Sequence, residues 1–244
     1  MPGKTKPPAY RLYQFLWNSM DWIFPPQCAG CGVEGYRWCP DCQVETQPIS
    51  GHICTTCGDP IQQANICKDC SITPPNFDQS CSWAEFKGPL RNAILNLKYQ
   101  RQYGLGGVLI SPVIKLINNL AWNIDIIVPV PLGKKRFKER GYNQAGALAR
   151  PLAWVLQLPY IPNALHRTRE TVSQVGLSKI EREKNVLGAF QARSDPVAEK
   201  NVLLVDDVWT TGATINACAQ ALKKVNAKKV FAVTLSRAAD TRVY

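Results

Sequence analysis

Residues 201–214 read Asn-Val-Leu-Leu-Val-Asp-Asp-Val-Trp-Thr-Thr-Gly-Ala-Thr. The branched aliphatic residues at the start of this stretch predict a buried strand, and Asp206 and Asp207 follow where the strand is expected to end. A turn of small residues comes next, and apolar residues then recur at helical spacing over positions 215–225. Backbone N–H groups at a strand–turn–helix junction bind phosphate, whereas neighbouring carboxylates repel it. The carboxylates are therefore expected to face a sugar diol or a bound Mg²⁺, and the stretch predicts a sugar-phosphate site.

Three other interpretations of this stretch compete with a sugar-phosphate site. An ordinary βα turn with a polar mouth is one alternative, and paired aspartates after an apolar run also occur in nucleotide hydrolases. Hydrolases of that kind need a Gly-x-x-x-x-Gly-Lys-Ser/Thr loop, which the sequence lacks. A dinucleotide-binding fold needs Gly-x-Gly-x-x-Gly after a strand, and the glycines of residues 104–107 follow a tyrosine-rich segment instead.

The stretch resembles the phosphoribosyl-pyrophosphate (PRPP) loop of type I phosphoribosyltransferases. The resemblance implies that Asp206 and Asp207 contact the ribose hydroxyls of PRPP. It also implies that the turn wraps the 5-phosphate through Thr210, Thr211, Gly212, Ala213 and Thr214. In α/β sheets such sites lie at the open end, where the strands finish.

Positive charge is concentrated in the part of the chain that contains this stretch. The 244 residues carry a formal net charge of +11. Residues 1–75 hold five Lys/Arg against six Asp/Glu, whereas residues 76–244 hold 24 against 12. A polyanionic ligand accounts for part of the excess and nucleic acid for the rest, although many domains of this charge bind no specific anion. Length and composition predict a medium domain, residues 76–244, after a smaller one, residues 25–75.

Residues 1–24 form an aromatic N-terminal segment. Polar residues interrupt it, and it lacks the apolar core and the small-residue cleavage site of a signal peptide. We therefore expect a short amphipathic helix that packs on the protein, with contact to a membrane surface as the alternative. No stretch predicts a transmembrane span, and a chain without a secretion signal is expected to stay in a reducing compartment.

Eight of the ten cysteines form four Cys-x-x-Cys pairs within residues 25–75. A two-residue gap lets both thiolates of a pair reach one metal ion, and four thiolates make a closed tetrahedral zinc site. The region has few apolar residues, so metal must supply its folding energy, whereas the larger domain is expected to own its core. Disulfides are the competing interpretation, and an interleaved pairing stays open. In the simplest partition the two structural zinc sites are held by Cys28, Cys31, Cys39 and Cys42 and by Cys54, Cys57, Cys67 and Cys70.

A dense cluster of cations follows a strand predicted at residues 125–131. Residues 134–140 contain five Lys/Arg against one Glu. A pyrophosphate group is expected at such a strand end because phosphate oxygens need charged donors, although a solvated surface is the alternative. A later polar segment adds three basic residues, Arg167, Lys179 and Arg182, that look arranged around a ligand. The candidates for anion binding are Lys134, Lys135, Arg136, Arg140, Arg167 and Arg182.

Three helices are predicted around these motifs. They span residues 89–99, residues 108–121 and an Ala/Leu-rich segment after Gly141, in which Pro151 is expected to kink or shorten the helix. Aromatic side chains could stack on the bases of a nucleic acid, although packing inside the protein is their commoner role. The candidates for stacking are Trp83, Tyr142 and Trp209.

The order of these motifs resembles that of the ComF/GntX family. The matching motifs are the cysteine pairs, Leu97-Lys98-Tyr99, Val-Pro-Val-Pro-Leu at residues 128–132, Arg140-Gly-Tyr-Asn-Gln144, a polar block at residues 167–190 that includes Gln174 and Leu177, and the loop at residues 206–212. The resemblance implies an α/β fold, in which helices flank a phosphoribosyltransferase-like parallel sheet and a small zinc-ribbon domain precedes it. It further implies a cytoplasmic bacterial protein that serves DNA uptake in natural transformation.

Two functional hypotheses follow from the motifs and the resemblance. In the first, the protein binds PRPP with Mg²⁺ and handles single-stranded DNA, while its zinc ribbons dock protein partners of the DNA-uptake machinery or help to hold the DNA. In the second, it is a metabolic phosphoribosyltransferase that transfers phosphoribosyl from PRPP to an acceptor that the sequence does not name. A structural adaptor that has lost the ligand is disfavoured by the complete loop at residues 206–214.

Overall fold

The computed structural model describes residues 7–23, 25–63, 65–169 and 179–238. Gln174 and Leu177 lie outside the described residues. The strands are β1 (Gln79–Glu85), β2 (Ile126–Pro129), β3 (Leu165–Arg167), β4 (Phe190–Ala192), β5 (Asn201–Trp209) and β6 (Lys229–Arg237). The helices are α1 (Pro8–Ile23), α2 (Pro40–Glu45), α3 (Lys68–Ile72), α4 (Gly88–Tyr99), α5 (Leu105–Leu120), α6 (Lys134–Arg140), α7 (Gln144–Leu156), α8 (Lys179–Val186) and α9 (Ala213–Lys223).

Four of these strands form a parallel sheet in the order β1-β6-β5-β2. Its central strands β5 and β6 are buried along most of their length, as expected for strands that helices cover on both faces. One face packs on α4, α5 and α7, and the other packs on α9 and the antiparallel pair β3–β4. The predicted α/β class, a parallel sheet flanked by helices, is confirmed.

Strand β5 runs farther than the sequence predicts. It continues past the acid pair to Trp209, which pairs with Arg237 of β6. On its other side β5 has a partner only as far as Val205, because β2 ends at Pro129. Prolines cannot donate to a ladder, so the Pro-rich end of β2 stops the pairing there. One edge of β5 is therefore uncovered from Asp206 onward, and the carboxylates face an opening at the carboxyl end of the sheet.

The three predicted helices are present as α4, α5 and α7, with two departures. Helix α7 continues for five residues beyond Pro151, so the proline does not end the helix, and the expected kink stays a prediction. Pro151 is buried. The cation cluster is itself a helix, α6, which the charge pattern did not predict. It ends at Gly141, whose φ of 80° suits a residue without Cβ.

Helix α1 packs on the rest of the protein as expected. The Tyr13 ring lies 5.3 Å from the Trp154 ring of α7, and the Arg37 guanidinium stacks over Trp17 at 4.6 Å.

Among the described residues, no helix is both long enough and apolar enough to cross a membrane. Domain boundaries after residues 24 and 75 stay predictions.

The two cysteine modules attach to different parts of the larger domain. The first rests on α4, where Asn92 Nδ2 donates to Gly30 O at 3.0 Å and Asn96 Nδ2 donates to Ala29 O at 2.9 Å. The second rests on the sheet, and Cys54 and Cys57 belong to the same buried cluster as Phe77 and Trp209. The second module therefore adds two cysteines to the buried cluster on one face of the sheet, and the independent folding of the larger domain stays a prediction.

Candidate functional site

A cleft of about 720 Å³ opens at the carboxyl end of the sheet. Its floor is the end of β5 and the turn into α9, with Asp206, Asp207 and Gly212. Helices α4 and α6 form its walls, and Arg167 and Arg182 reach it from β3 and α8. Elements that are distant in sequence thus bring the predicted acid pair, the predicted turn and four of the predicted cations to one opening.

The two carboxylates of the acid pair have different surroundings. Asp207 is 4% exposed, and its Oδ2 lies 3.0 Å from Lys98 Nζ of α4. Asp206 Oδ1 accepts a hydrogen bond of 2.9 Å from the Asp207 N–H. Burial, followed by the charge of Asp207, raises the pKa of Asp206 from 3.8 to about 8. The pair therefore carries less negative charge near neutral pH than two ordinary aspartates, and it favours a ligand that brings hydroxyl donors or a cation.

The turn after β5 presents backbone N–H groups at the start of α9. Gly212 has a φ of 76°, and Ala213 N–H lies 3.4 Å from Thr211 Oγ1. Thr210, Gly212 and Thr214 line the cleft, whereas Thr211 and Ala213 line a neighbouring cleft behind the turn. A helix N-terminus that opens on a cleft suits a phosphate group.

The predicted cations divide into two groups. Arg136 and Arg140 of α6 line the cleft together with Arg167 and Arg182, whereas Lys134 and Lys135 are exposed and do not line it. Arg140 is held in place, because its Nη1 donates to Gln144 Oε1 at 2.8 Å and its guanidinium stacks over Tyr99 at 5.2 Å. The Arg167 guanidinium stacks over Phe190 at 5.4 Å.

Sequence reasoning missed several residues that α4 and its neighbours contribute to the cleft. They are Phe86, Arg91, Lys98, Tyr99 and Arg101. Lys98 and Tyr99 belong to one of the motifs that match the family. Nothing in that motif indicates a contact with the acid pair, which begins 108 positions after Lys98. Of the proposed stacking residues, Trp83 and Trp209 are buried, so both pack inside the protein and neither is placed to stack on a base.

Each set of four cysteines brings its sulfurs together as a metal site requires. Within each predicted set the four Sγ atoms all lie within 4.8 Å of one another. The Sγ atoms of Cys28 and Cys42 are 3.7 Å apart, as are those of Cys57 and Cys67. Four sulfurs at about 2.3 Å from a zinc ion stand about 3.8 Å apart, whereas a disulfide brings two sulfurs to about 2 Å. The ten cysteines are free thiols, and the geometry fits two zinc ions in the simplest partition.

Backbone N–H groups point at the sulfurs of both sets. Cys39 N–H donates to Cys28 Sγ, and Cys67 N–H donates to Cys54 Sγ, each at 3.3 Å. Burial raises the pKa of Cys28, but these N–H donors outweigh it and lower that pKa to about 6. The same balance lowers the pKa of Cys54 to about 7. Zinc binds the thiolate form, and four protein ligands leave no open position, so both sites are structural.

Comparison with known proteins agrees with both parts of the architecture. The family described as "Double zinc ribbon domain" matches residues 19–71, and "Phosphoribosyl transferase domain" matches residues 111–243. Competence protein F of Haemophilus influenzae is 30% identical over 219 residues, which cover 86% of this chain and 90% of that protein. This chain belongs to the ComF family.

Further ComF-family relatives have similar coverage. The DNA utilization protein YhgH of Escherichia coli (strain K12) is 33% identical over 184 residues, 73% of this chain and 81% of that protein. Competence protein ComFC of Bacillus subtilis (strain 168) is 27% identical over 209 residues, 82% and 83% of the two chains. Adenine phosphoribosyltransferase from Saccharomyces cerevisiae, a solved structure, is 17% identical with a TM-score of 0.33 over 56% of this chain and 72% of that one. At this low similarity, the two proteins are not compared residue by residue.

Proposed function

We propose that this ComF-family protein binds PRPP with Mg²⁺ in the cleft at the carboxyl end of its sheet. The observation that carries the proposal is the meeting of the acid pair, the phosphate-type turn and the four predicted arginines at one opening. The cleft volume of about 720 Å³ falls within the range of about 300–1,000 Å³ usual for small-molecule sites.

Each part of PRPP has a matching set of side chains or N–H groups. The 5-phosphate accepts from the backbone of residues 210–214, and the ribose hydroxyls donate to Asp206 and Asp207. The pyrophosphate lies against Arg136, Arg140, Arg167 and Arg182, whose guanidinium groups bind phosphate oxygens in pairs. Mg²⁺ bound with PRPP neutralises pyrophosphate charge, and its preference for oxygen ligands suits the two carboxylates of the acid pair.

We further propose a cytoplasmic role in DNA uptake. Relatives of this chain are named competence proteins and DNA utilization proteins, which supports a role in handling DNA that has entered the cell. A reducing compartment also keeps the ten thiols of this chain available for zinc. In this proposal the zinc ribbons dock protein partners of the uptake machinery.

Single-stranded DNA fits the rim of the same cleft. Tyr99 is 65% exposed beside Arg140, and Arg91 lies 6.0 Å from the centre of the Phe86 ring. Alternating aromatic rings and guanidinium groups bind single strands, because rings stack on bases while cations contact the backbone. We therefore propose that DNA bases stack on the aromatic residues of this rim and not on Trp83 or Trp209.

Fluorescence anisotropy with a labelled oligonucleotide tests the DNA part of the proposal. Binding should weaken steeply with salt, with a slope of about −0.7 for each phosphate contacted. Excess PRPP should compete, because both ligands use the arginines of the cleft. Tyr99→Ala should weaken binding, whereas Tyr36→Ala, which removes an exposed tyrosine of the first zinc module, should not. Absence of binding at low ionic strength would remove DNA as a direct partner.

Catalytic transfer of phosphoribosyl to an acceptor is the second candidate. The observation that favours it is the part of the cleft beyond the acid pair, where Phe86, Leu95 and Tyr99 offer an apolar wall. Release of pyrophosphate from PRPP in the presence of candidate bases would establish turnover. Tight binding of Mg²⁺–PRPP without release under any acceptor would instead support binding without transfer.

A further inference from the structure

Trp209 lies between the acid pair and the phosphate-type turn and lines the cleft, yet its side chain is almost wholly buried. The indole is 6% exposed. A Cβ placed on Gly212 would come within 2.4 Å of Trp209 Cζ2, so the turn rests directly on the indole. The Phe77 ring meets the indole edge-on, with ring centres 5.6 Å apart. The Trp209 side chain is therefore the support beneath the turn that we assign to the 5-phosphate.

Arg237 holds the Trp209 indole from the far side. Its guanidinium stacks over the indole at 4.5 Å, and Ala238 N–H donates to Trp209 O at 2.8 Å. Arg237 is 7% exposed, and burial lowers its pKa below the usual value for an arginine. A buried guanidinium needs partners that compensate for its lost hydration.

The second zinc module supplies those partners. Arg237 Nη2 donates to Cys57 O, and Arg237 Nη1 lies 3.1 Å from Asp59 Oδ1. Cys57 is one of the four cysteines of that module, and its carbonyl also accepts from Ser80 Oγ at 3.0 Å. Gly58 has a φ of 70° and presses on β1, since a Cβ there would meet Ser80 O at 2.8 Å. The position of the Cys57 carbonyl therefore depends on the knuckle that zinc holds.

We propose that Arg237 and Trp209 are positioning residues that couple the second zinc site to the phosphate-binding turn. Zinc fixes the Cys57 knuckle, the knuckle fixes Arg237, and Arg237 holds the indole on which Gly212 rests. Loss of the second zinc ion then weakens binding of the 5-phosphate although no zinc ligand touches the ligand. The inference rests on the proposed PRPP site, and it assigns the second zinc module a role beyond holding its own fold.

The first zinc module provides a matched control. Its Gly30 and Ala29 carbonyls accept from Asn92 and Asn96 of α4, whereas the Cys57 carbonyl of the second module accepts from Arg237 of β6. Cys31 occupies the same place in its knuckle as Cys57, and each precedes a glycine of positive φ. Cys31→Ser and Cys57→Ser thus each disturb one zinc site, but only the second change disturbs the support of the turn.

Calorimetric titration with Mg²⁺–PRPP, with zinc measured in each sample, tests the coupling. Cys57→Ser should lose one zinc ion and bind about tenfold more weakly, within the usual range of coupling between sites. Asp59→Asn keeps all zinc ligands and should also weaken binding, which keeps the test decisive if Cys57→Ser fails to fold. Combined with Trp209→Phe, Asp59→Asn should add little further loss, because both changes act through one support. Cys31→Ser should lose one zinc ion and bind as the wild type does.

The outcomes separate this inference from the proposed function. A wild-type protein that does not bind Mg²⁺–PRPP would overturn the proposed site itself. A wild type that binds, together with Asp59→Asn and Cys57→Ser that bind equally well, would overturn the coupling alone. Equal weakening by Cys31→Ser and Cys57→Ser would also overturn it, because a general loss of stability would then explain the effect.

Discussion

Asp206 and Asp207 are neighbours on one strand, but the protein treats their charges differently. Lys98 lies 3.0 Å from Asp207, while burial and the charge of Asp207 raise the pKa of Asp206 to about 8. The free site therefore tends to hold a proton on Asp206. A ligand that brings Mg²⁺ favours the ionised form of that carboxyl and releases the proton.

The raised pKa of Asp206 predicts a pH-dependent cost to stability. Below pH 3.8 the carboxyl is protonated in both the folded and the unfolded protein. Between pH 3.8 and about 8 the unfolded chain releases a proton that the folded protein keeps, so the free energy of unfolding falls as pH rises. Asp206→Asn removes this effect. Its free energy of unfolding should gain on that of the wild type as pH rises toward about 8, and the gain should then level off.

Urea denaturation of both proteins with zinc present, at several pH values, measures this difference. Asp195→Asn, on an exposed segment before β5, controls for removal of a surface carboxylate. A difference between Asp206→Asn and wild type that stays constant with pH would contradict the raised pKa of Asp206.

At the scale of elements, α6 presents cations in two directions. Arg136 and Arg140 line the cleft, whereas Lys134 and Lys135 are exposed outside it. The sequence predicted a dense cluster of cations. It did not predict that the cluster forms a helix with one face toward the cleft, so it did not indicate which cations line the cleft. The arrangement makes the two lysines a control for the two arginines, since both pairs carry the same charge on the same helix.

Replacing the two arginines should weaken PRPP binding far more than replacing the two lysines. A lost hydrogen bond to a charged group costs about 1.5–3 kcal/mol, so Arg136→Ala with Arg140→Ala should reduce affinity by roughly tenfold or more. Lys134→Ala with Lys135→Ala should have a small effect that disappears at high salt. Titration of Mg²⁺–PRPP into both variants makes the comparison. Equal losses would show that α6 acts only through its overall charge.

The two zinc modules should bind two zinc ions per chain. Elemental analysis of protein purified without added metal checks the number, because structural sites with four thiolates hold zinc through purification. Cys28→Ser should reduce the content to one zinc ion and leave the second module filled. Iron in place of zinc, or one ion in the wild type, would contradict the assignment.

At the scale of the whole molecule, local motifs were predictable and the contacts that join them were not. The loop at residues 206–214 predicted the acid pair and the turn, and the spacing of the cysteine pairs predicted the two zinc sites, since each depends on neighbouring residues. The parallel sheet was predicted only through the family resemblance. The pairing of Lys98 with Asp207 and the support of Trp209 by Arg237 join residues far apart in sequence. Such contacts depend on the order of strands and on how helices pack, which spacing along the chain does not encode.

The placement of the second zinc module shows the same limit. Its composition suggested a small unit that depends on metal and leaves the larger domain independent. In the folded protein its Cys54 and Cys57 share a buried cluster with Phe77 and Trp209, because the module lies against the sheet at the turn. We therefore expect the folding of this module to affect the shape of the proposed binding site.

The central claim is that PRPP binds to the acid pair and the turn that follows it. Isothermal titration calorimetry with PRPP, in the presence and absence of Mg²⁺, tests it on the wild type and on Asp206→Asn/Asp207→Asn. Asp195→Asn/Glu199→Gln removes two carboxyl groups from the exposed segment before β5, near the amino end of that strand, and serves as the control. We predict Mg²⁺-dependent binding by the wild type and the control, and an affinity at least about tenfold lower for the folded acid-pair variant. Unchanged affinity in that variant would contradict the account.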